Sequence, residues 1–336
     1  MIAAELAIRN ALSASPLFRA LAPESERLPE APAPEWRGLK LQVPVAPQMT
    51  AGELLARLAT IRRQHGSRRM RARGDAVELG DEIQVRMLGY AGGRPVPGSL
   101  RYDEWIELAP DPDLPGFAEK LVGTKVGTSV EIATTLKGRR VQYIVDLRAA
   151  NAVTPLPDTS PELLARMEVK TLDEAMAKLA EEAEEERIQW SARETRERAI
   201  DQLAVRVQVQ VPPDMLREEI RRRWMDREGR KLAWLGLDAA KMQGALNAWL
   251  EDEAVVVEVD RSIRAYLALS AIAREERVQP DLGRWMDQLA EITRLPKESL
   301  RTELSRDKAL AARLVETSTQ AAALDLVMKH ATITEG

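Results

Sequence analysis

Apolar positions along this chain switch between a helical and an extended period, and the switches mark its elements. Residues 2–21 place Leu6, Ala7, Leu12, Leu17, Phe18 and Leu21 at helical spacing. Pro23, Pro29, Pro32 and Pro34 then make an extended linker. Thr50–His65 returns to a helical stripe of Leu54, Leu58 and Ile61, opened by Thr50 with Glu53 three residues on, the pattern of a capping box. Between Gly80 and Leu147 the period becomes that of strands. Gly80–Gly89, Val130–Ile132 and Arg140–Leu147 read as strands, and a short helix, Phe117–Leu121, is held between turns at Pro115-Gly116, Gly123 and Gly127. This predicts one short helix lying on a small antiparallel sheet.

The remainder is helical. No proline or glycine interrupts Thr171–Val211, and about 36 helical residues there would extend roughly 50 Å. The middle of that stretch, Ala180–Arg187, is nearly all Glu and Ala and reads as solvent-exposed. Val205, Val207, Val209 and Val211 alternate as a strand would, and Pro212-Pro213 opens the next helix. Its stripe is Leu216, Ile220 and Trp224; Trp234, Leu237, Met242 and Trp249 follow. Another helix carries Val255, Val259, Ile263, Tyr266 and Leu267. Past Pro280 come Trp285, Met286, Leu289 and Ile292, then Pro296 and a final helix pair ending near Met328. There is no fixed-period repeat.

Composition narrows the function classes. The 336 residues are 45% apolar and 30% charged, enough for two or three domains with their own cores. The absence of cysteine removes disulfides, thiolate catalysis and zinc-thiolate sites, and two histidines, His65 and His330, do not make a metal centre. No apolar run approaches the roughly 20 residues of a membrane span, and MIAAELAIRNAL lacks the form of a secretory signal, so the expected compartment is the cytoplasm, with no membrane partner. Net charge is −4. The run Arg62, Arg63, Arg68, Arg69, Arg71 and Arg73 is basic enough for phosphate, yet it has no aromatic stacking residues and sits among acidic residues. It reads as a solvated basic face, not a nucleic-acid site. No phosphate-binding glycine loop, paired catalytic carboxylates or nucleophile elbow is found, and no cofactor is expected.

The collinear series from residue 38 to 333 resembles bacterial trigger factor. Gly80-Asp81 opens a strand that Gly89 closes, Leu114-Pro-Gly-Phe117 enters the short helix, and Leu121-x-Gly123-x-Lys125-x-Gly127 leaves it. Leu136-Lys-Gly138 precedes the last strand. Pro155-Leu-Pro157 then leaves the domain, Lys170-Thr-Leu-Asp173 starts the long helix, and Val211-Pro212 precedes Met215-Leu216-Arg-Glu-Glu-Ile220. The resemblance implies an α+β chain: a small FKBP-like antiparallel sheet with one helix, attached to an extended all-α chaperone domain with long helical arms. The implied domains are an N-terminal helix and Pro-rich linker (1–35), a strand and helix running along the body (36–75), an FKBP-like prolyl isomerase domain (76–153) and a C-terminal chaperone domain (154–336).

Prolyl isomerisation needs an apolar, desolvated pocket around the proline, because the amide barrier of about 20 kcal/mol falls when its resonance loses solvent support. Where the family carries pocket aromatics, this sequence has Met87 and Val96, with Pro97 at the acidic rim position. Leu114 and Phe117 stay apolar, and Tyr143 stands for a last-strand phenylalanine. Thr134–Gly138 runs directly into the final strand, without the family's flap and its tyrosine. The implied isomerase is degenerate, weak or inactive; the alternative is a slow but working enzyme. The family's ribosome-docking loop, of Gly-Phe-Arg-x-Gly-Lys type, has no counterpart, so ribosome binding is not expected. The implied function is ATP-independent holding of unfolded or nascent polypeptides, or of one dedicated client protein. Candidate client contacts are Trp224, Trp234, Met242, Trp249, Trp285, Met286 and Met328, since methionine repacks around varied partners and tryptophan offers area with a polar edge.

Overall fold

A computed structural model describes residues 29–43, 45–111, 113–136 and 138–335; the helix expected over residues 2–21 lies outside them. After strand β1 (Lys40–Val43) come helix α1 (Ala51–Gln64) and strands β2 (Ser67–Met70), β3 (Glu82–Ala91), β4 (Arg94–Pro95) and β5 (Arg101–Glu107). Helix α2 (Phe117–Leu121) precedes β6 (Ser129–Leu136) and β7 (Arg139–Thr154). The helices that follow are α3 (Pro161–Arg166), α4 (Leu172–Arg206) and α5 (Pro213–Trp224), which runs through a π turn at Met225–Gly229 into α6 (Arg230–Trp234). Then come α7 (Ala239–Glu251), α8 (Glu253–Glu275), α9 (Leu282–Thr293), α10 (Lys297–Arg306), α11 (Lys308–His330) and a last strand, β8 (Thr332–Glu335). The class is α+β. The chain forms two compact units: Pro47–Arg187 with Arg221–Asp252, and the chain up to Ala46 with Ile188–Ile220 and Glu253 onward. The helical stretch 221–252 thus belongs with the sheet, a grouping that domain order along the sequence does not suggest.

In the sheet-bearing unit, all strands pair antiparallel in the order β2-β7-β3-β4, with β5 on β3 and β6 on β7. β7 is 16 residues long, twice the expected strand, and its length lets it pair with β6, β3 and β2 in turn. Phe117, Ala118 and Leu121 of α2 join Ile83, Val85, Val145 and Leu147 in one apolar core. Gly89 is fixed by space: a Cβ there would come within 2.9–3.1 Å of Val141, Tyr143 and Ser99. Beside the sheet, Leu58 of α1 packs with Leu163, Met167, Ala175 and Leu179 of α3 and α4. The capping box forms as read, Thr50 accepting from the Glu53 N–H while the Glu53 carboxylate accepts from the Thr50 N–H at 2.6 Å.

The arginine run is committed to structure more than to solvent. Arg71 pairs with the buried Asp81 at 2.5 Å and Arg68 grips Glu82 through two bonds of 2.7 Å, while Arg62 donates to the Leu156 carbonyl at 2.6 Å. Arg63 reaches the Gly80 carbonyl and Glu107. Strand β2 lies inside this run, where the density of charge hides any period-2 pattern.

In the other unit, β1 and β8 form a two-stranded parallel sheet, Lys40 opposite Thr332 through Val43 opposite Glu335. Arg198 and Gln202 of α4 donate to the carbonyls of Gln42 and Lys40 on β1, and Arg206 to that of Glu35 ahead of it. Helices α8 and α11 pack together, with Gln320 donating to Ser270 at 3.1 Å. Helix α4 is 35 residues long, in line with the uninterrupted stretch. The strand expected at Val205–Val211 does not form. Helix α4 runs on to Arg206, and the carbonyls of Val207 and Val209 accept from the Arg264 guanidinium at 3.1 and 2.9 Å, so a side chain supplies the bonds a strand partner would have made.

Candidate functional site

Two sets of residues carry the expected chemistry, and the structure treats them differently. Met87 on β3, Phe117 on α2 and Tyr143 on β7 are buried in the sheet core, with Val96 and Leu114 packed against it. The Phe117 and Tyr143 rings meet edge to face at 6.1 Å. Burial pushes the Tyr143 hydroxyl pKa up. The five residues therefore come together, as one packed cluster. β6 and β7 are paired up to Leu136 opposite Arg139, so only two residues turn the chain and no flap lies between these strands. Thr134 donates to the Pro115 carbonyl at 2.7 Å, tying β6 to the entrance of α2.

The helical candidates divide. Trp234 is 75% exposed at the end of α6, its ring 6.3 Å from that of Tyr102. Trp224 and Trp249 are buried, and Met242 on α7 is half-buried. Trp285 and Met286 pack partly against Leu289, Leu300, Leu310 and Leu314, a small cluster shared by α9, α10 and α11; Met328 on α11 is half-buried. Exposed apolar side chains outside the expected set include Ile188, Trp190, Val257, Ile292 and Val315 on the helices, and Trp105 and Ile144 on the sheet. Val205, 85% exposed, lines an open cavity of about 650 Å³ with Gly38, Lys40, Asp201, Gln202 and Arg206. The alternation that suggested a strand at Val205 was a sign that it escapes the helical stripe.

Trp249 is buried for a specific reason. Its indole N–H donates to the Glu228 carboxylate at 2.7 Å, and the other oxygen accepts from the Gly98 N–H at 2.8 Å. The Leu100 N–H contributes to the same carboxylate. Glu228 is 5% exposed and lies in the π turn between α5 and α6. Burial raises its pKa, and the indole and the two backbone donors act in the opposite direction. The receiving segment is well fixed: Ser99 accepts from the Gly89 N–H at 3.1 Å and donates to the Val96 carbonyl at 2.6 Å, and Gly98 has φ +76°. Nothing in the run Arg-Trp-Met-Asp-Arg-Glu-Gly singles out Glu228 in sequence, because a π turn moves it off the helical period.

Among the described residues no group of His, Asp and Glu could hold a metal ion, and no helix is long and apolar enough to cross a membrane. The family model for the C-terminus of bacterial trigger factor matches residues 171–329. The trigger factor of Novosphingobium aromaticivorans is 28% identical over 269 residues, 76% of this chain and 50% of its own length. That of Exiguobacterium sp. is 23% identical over 294 residues, 82% of this chain and 67% of its own. The Streptococcus equi subsp. zooepidemicus protein, also a trigger factor, is 26% identical over 301 residues, covering 83% and 68%. This chain thus spans about half to two thirds of the length of these curated relatives. A solved structure from work on promiscuous substrate recognition in folding and assembly by the trigger factor chaperone covers 90% of this chain and 73% of its own, with 18% identity and a TM-score of 0.38.

Proposed function

We propose that this chain, whose residues 171–329 match the family model for the C-terminus of bacterial trigger factor, is an ATP-independent holding chaperone for unfolded or nascent polypeptides, with an isomerase-like domain that does little catalysis. The observation that carries the reading is the state of the tryptophans and aliphatics on the helices. Trp234, Ile292 and Val257, on three different helices, stand more than half exposed, so each offers apolar area. Such a surface suits partners that differ in sequence but all expose apolar side chains.

Catalysis has less support. A prolyl pocket must be open to a proline ring, and Met87, Phe117 and Tyr143 fill one another's space. Holding is tested by suppression of aggregation of a denatured protein, with and without ATP; equal suppression is expected. Refolding limited by proline isomerisation, which takes tens of seconds or longer uncatalysed, is expected to accelerate little. Strong acceleration that is lost on filling or opening the Phe117–Tyr143 cluster would overturn the non-catalytic part of the proposal. The sequence has no Gly-Phe-Arg-x-Gly-Lys-type loop, so we further expect no salt-resistant co-sedimentation with vacant ribosomes.

A further inference from the structure

The two strands of the small parallel sheet, β1 and β8, have outer edges of different kinds. The Thr332 N–H donates to the Leu39 carbonyl at 2.7 Å. In a parallel ladder that places the bonds of Thr332 and Thr334 on the β1 side, and Ile333 between them turns its own N–H and C=O away. The same alternation turns Lys40 and Gln42 outward on β1. There α4 supplies partners, Gln202 donating to the Lys40 carbonyl and Arg198 to that of Gln42. The outer edge of β8 has no such cover. Among the described residues no strand other than β1 pairs with it, and no group bonds to the outward N–H or C=O of Ile333. Thr332, Ile333 and Thr334 are all exposed, Ile333 by 50%, so both faces of the strand meet solvent. Parallel sheets are ordinarily covered, which sets this edge apart. Its sequence, Thr-Ile-Thr-Glu, is β-branched and carries no lysine or proline of the kind that guards exposed edges.

We propose that the outer edge of β8 is a docking site for an extended segment of client polypeptide, which adds to the β1–β8 sheet as a third strand. The proposal rests on the holding function above and gives it a main-chain contact just past α11. Main-chain bonds are the same whatever side chains the client carries, so an open edge suits partners that differ in sequence, and Ile333 adds an apolar side chain beside it. A second copy of the chain fits less well, because an edge of four residues falls far short of the roughly 1,200 Å² that a stable interface buries. Residues 2–21 do not match the edge either, since their apolar positions recur at helical spacing and do not alternate.

The test is amide hydrogen exchange on the full chain, alone and with reduced, carboxymethylated lactalbumin, a polypeptide that stays unfolded, together with aggregation suppression. With the polypeptide bound, the Ile333 amide is expected to exchange about tenfold more slowly, while the Thr332 amide, already bonded to Leu39, changes little. Ile333→Pro removes the outward N–H and leaves the bonds to β1, and should need roughly two- to threefold more chaperone for equal suppression. Ile333→Thr keeps the N–H and the β-branched shape and should stay near wild type. If Ile333→Pro also exposes the Thr332 amide, the strand itself is lost, and Ile333→Lys, which guards the edge with charge, decides in its place by the same loss of suppression. An Ile333 amide that does not respond to bound polypeptide overturns the docking site and leaves holding intact. Protection of Ile333 in the free chain overturns it too, in favour of a second copy if protection grows with protein concentration and of this chain's own residues if it does not. Equal losses in Ile333→Pro and Ile333→Thr would make the contact one of side chains and contradict the added strand. If no polypeptide binds at all, the holding function fails and the docking site falls with it.

Discussion

The sheet domain and the helices beyond it carry similar apolar inventories and use them in opposite ways. In the sheet domain, Met87, Phe117 and Tyr143 turn inward, and one short helix over a tightly paired sheet covers them. On the helices, Trp234, Ile292, Val257 and Val315 face out among charged neighbours. The difference lies in the local supports. β6 and β7 stay paired to a two-residue turn, so no flap remains to roof a pocket, and the space a proline would need is filled by core packing. On α8 the stretch Ala265–Ala273 is buried on nearly every side, while Val257 near the start of the same helix is exposed, so cover changes along a helix as well as around it. An apolar residue type therefore says less about function than whether its element has a covered second face.

The largest expected effect comes from breaking the sheet core. Phe117→Ala should cost about 3–5 kcal/mol, seen as a lower melting transition for the sheet domain, while aggregation suppression survives. Loss of holding along with the sheet would erase the contrast between the two regions. Asp81→Ala leaves the half-buried Arg71 without its closest anion, with only the exposed Glu78 carboxylate at 3.1 Å left to it, and should cost about 3 kcal/mol, again in thermal stability and not in holding.

Acid titration separates two carboxylates of the same unit by sign. The Arg68 hydrogen bond holds the Glu82 pKa below its ordinary value. Its stabilising contribution is complete above about pH 4.5 and is lost as pH falls through the lowered folded value. Glu228 is raised by burial, so the folded form binds the proton more tightly and stability falls as pH rises through the raised value. Melting temperatures measured from pH 7 down to pH 4.5 should therefore show wild type gaining on Glu228→Gln as pH falls. With further acidification, wild type should lose its margin over Arg68→Gln. A smaller effect is expected at the surface: Trp234→Ser should change stability by less than about 0.5 kcal/mol yet require roughly threefold more chaperone for equal suppression. A large melting shift would mean that its contact with Tyr102 is structural.

Much of the sheet domain was legible because its elements announce themselves. Phe117–Leu121 is helical over the span its apolar spacing and flanking turns set, and the Thr50–Glu53 box forms both its bonds. The uninterrupted run after Thr171 became one helix. What stayed hidden depends on long-range partners. β5 and β2 are rich in charge, and their pairing is imposed by β3 and β7. Val207–Val211 has strand-like alternation but no strand to meet, and Arg264 takes up its carbonyls instead. At the candidate site, the clustering of the five pocket residues followed from the order of elements, whereas their closure depends on packing volumes that residue identities do not convey. Tryptophans at helical spacing could not be sorted into buried Trp224 and Trp249 and exposed Trp234 without Glu228, whose placement needs the π turn.

The central claim is that clients are held by exposed side chains of the helices and not by the sheet domain. A photo-crosslinking residue placed singly at Trp234, Ile292, Val315, Trp105 and Ile144, with a denatured client added to the full chain, addresses it most directly. All five positions are exposed, so access does not bias the outcome. Crosslinks should concentrate at Trp234, Ile292 and Val315. Crosslinks confined to Trp105 and Ile144, with none on the helices, would contradict the claim and make the sheet domain the holding surface.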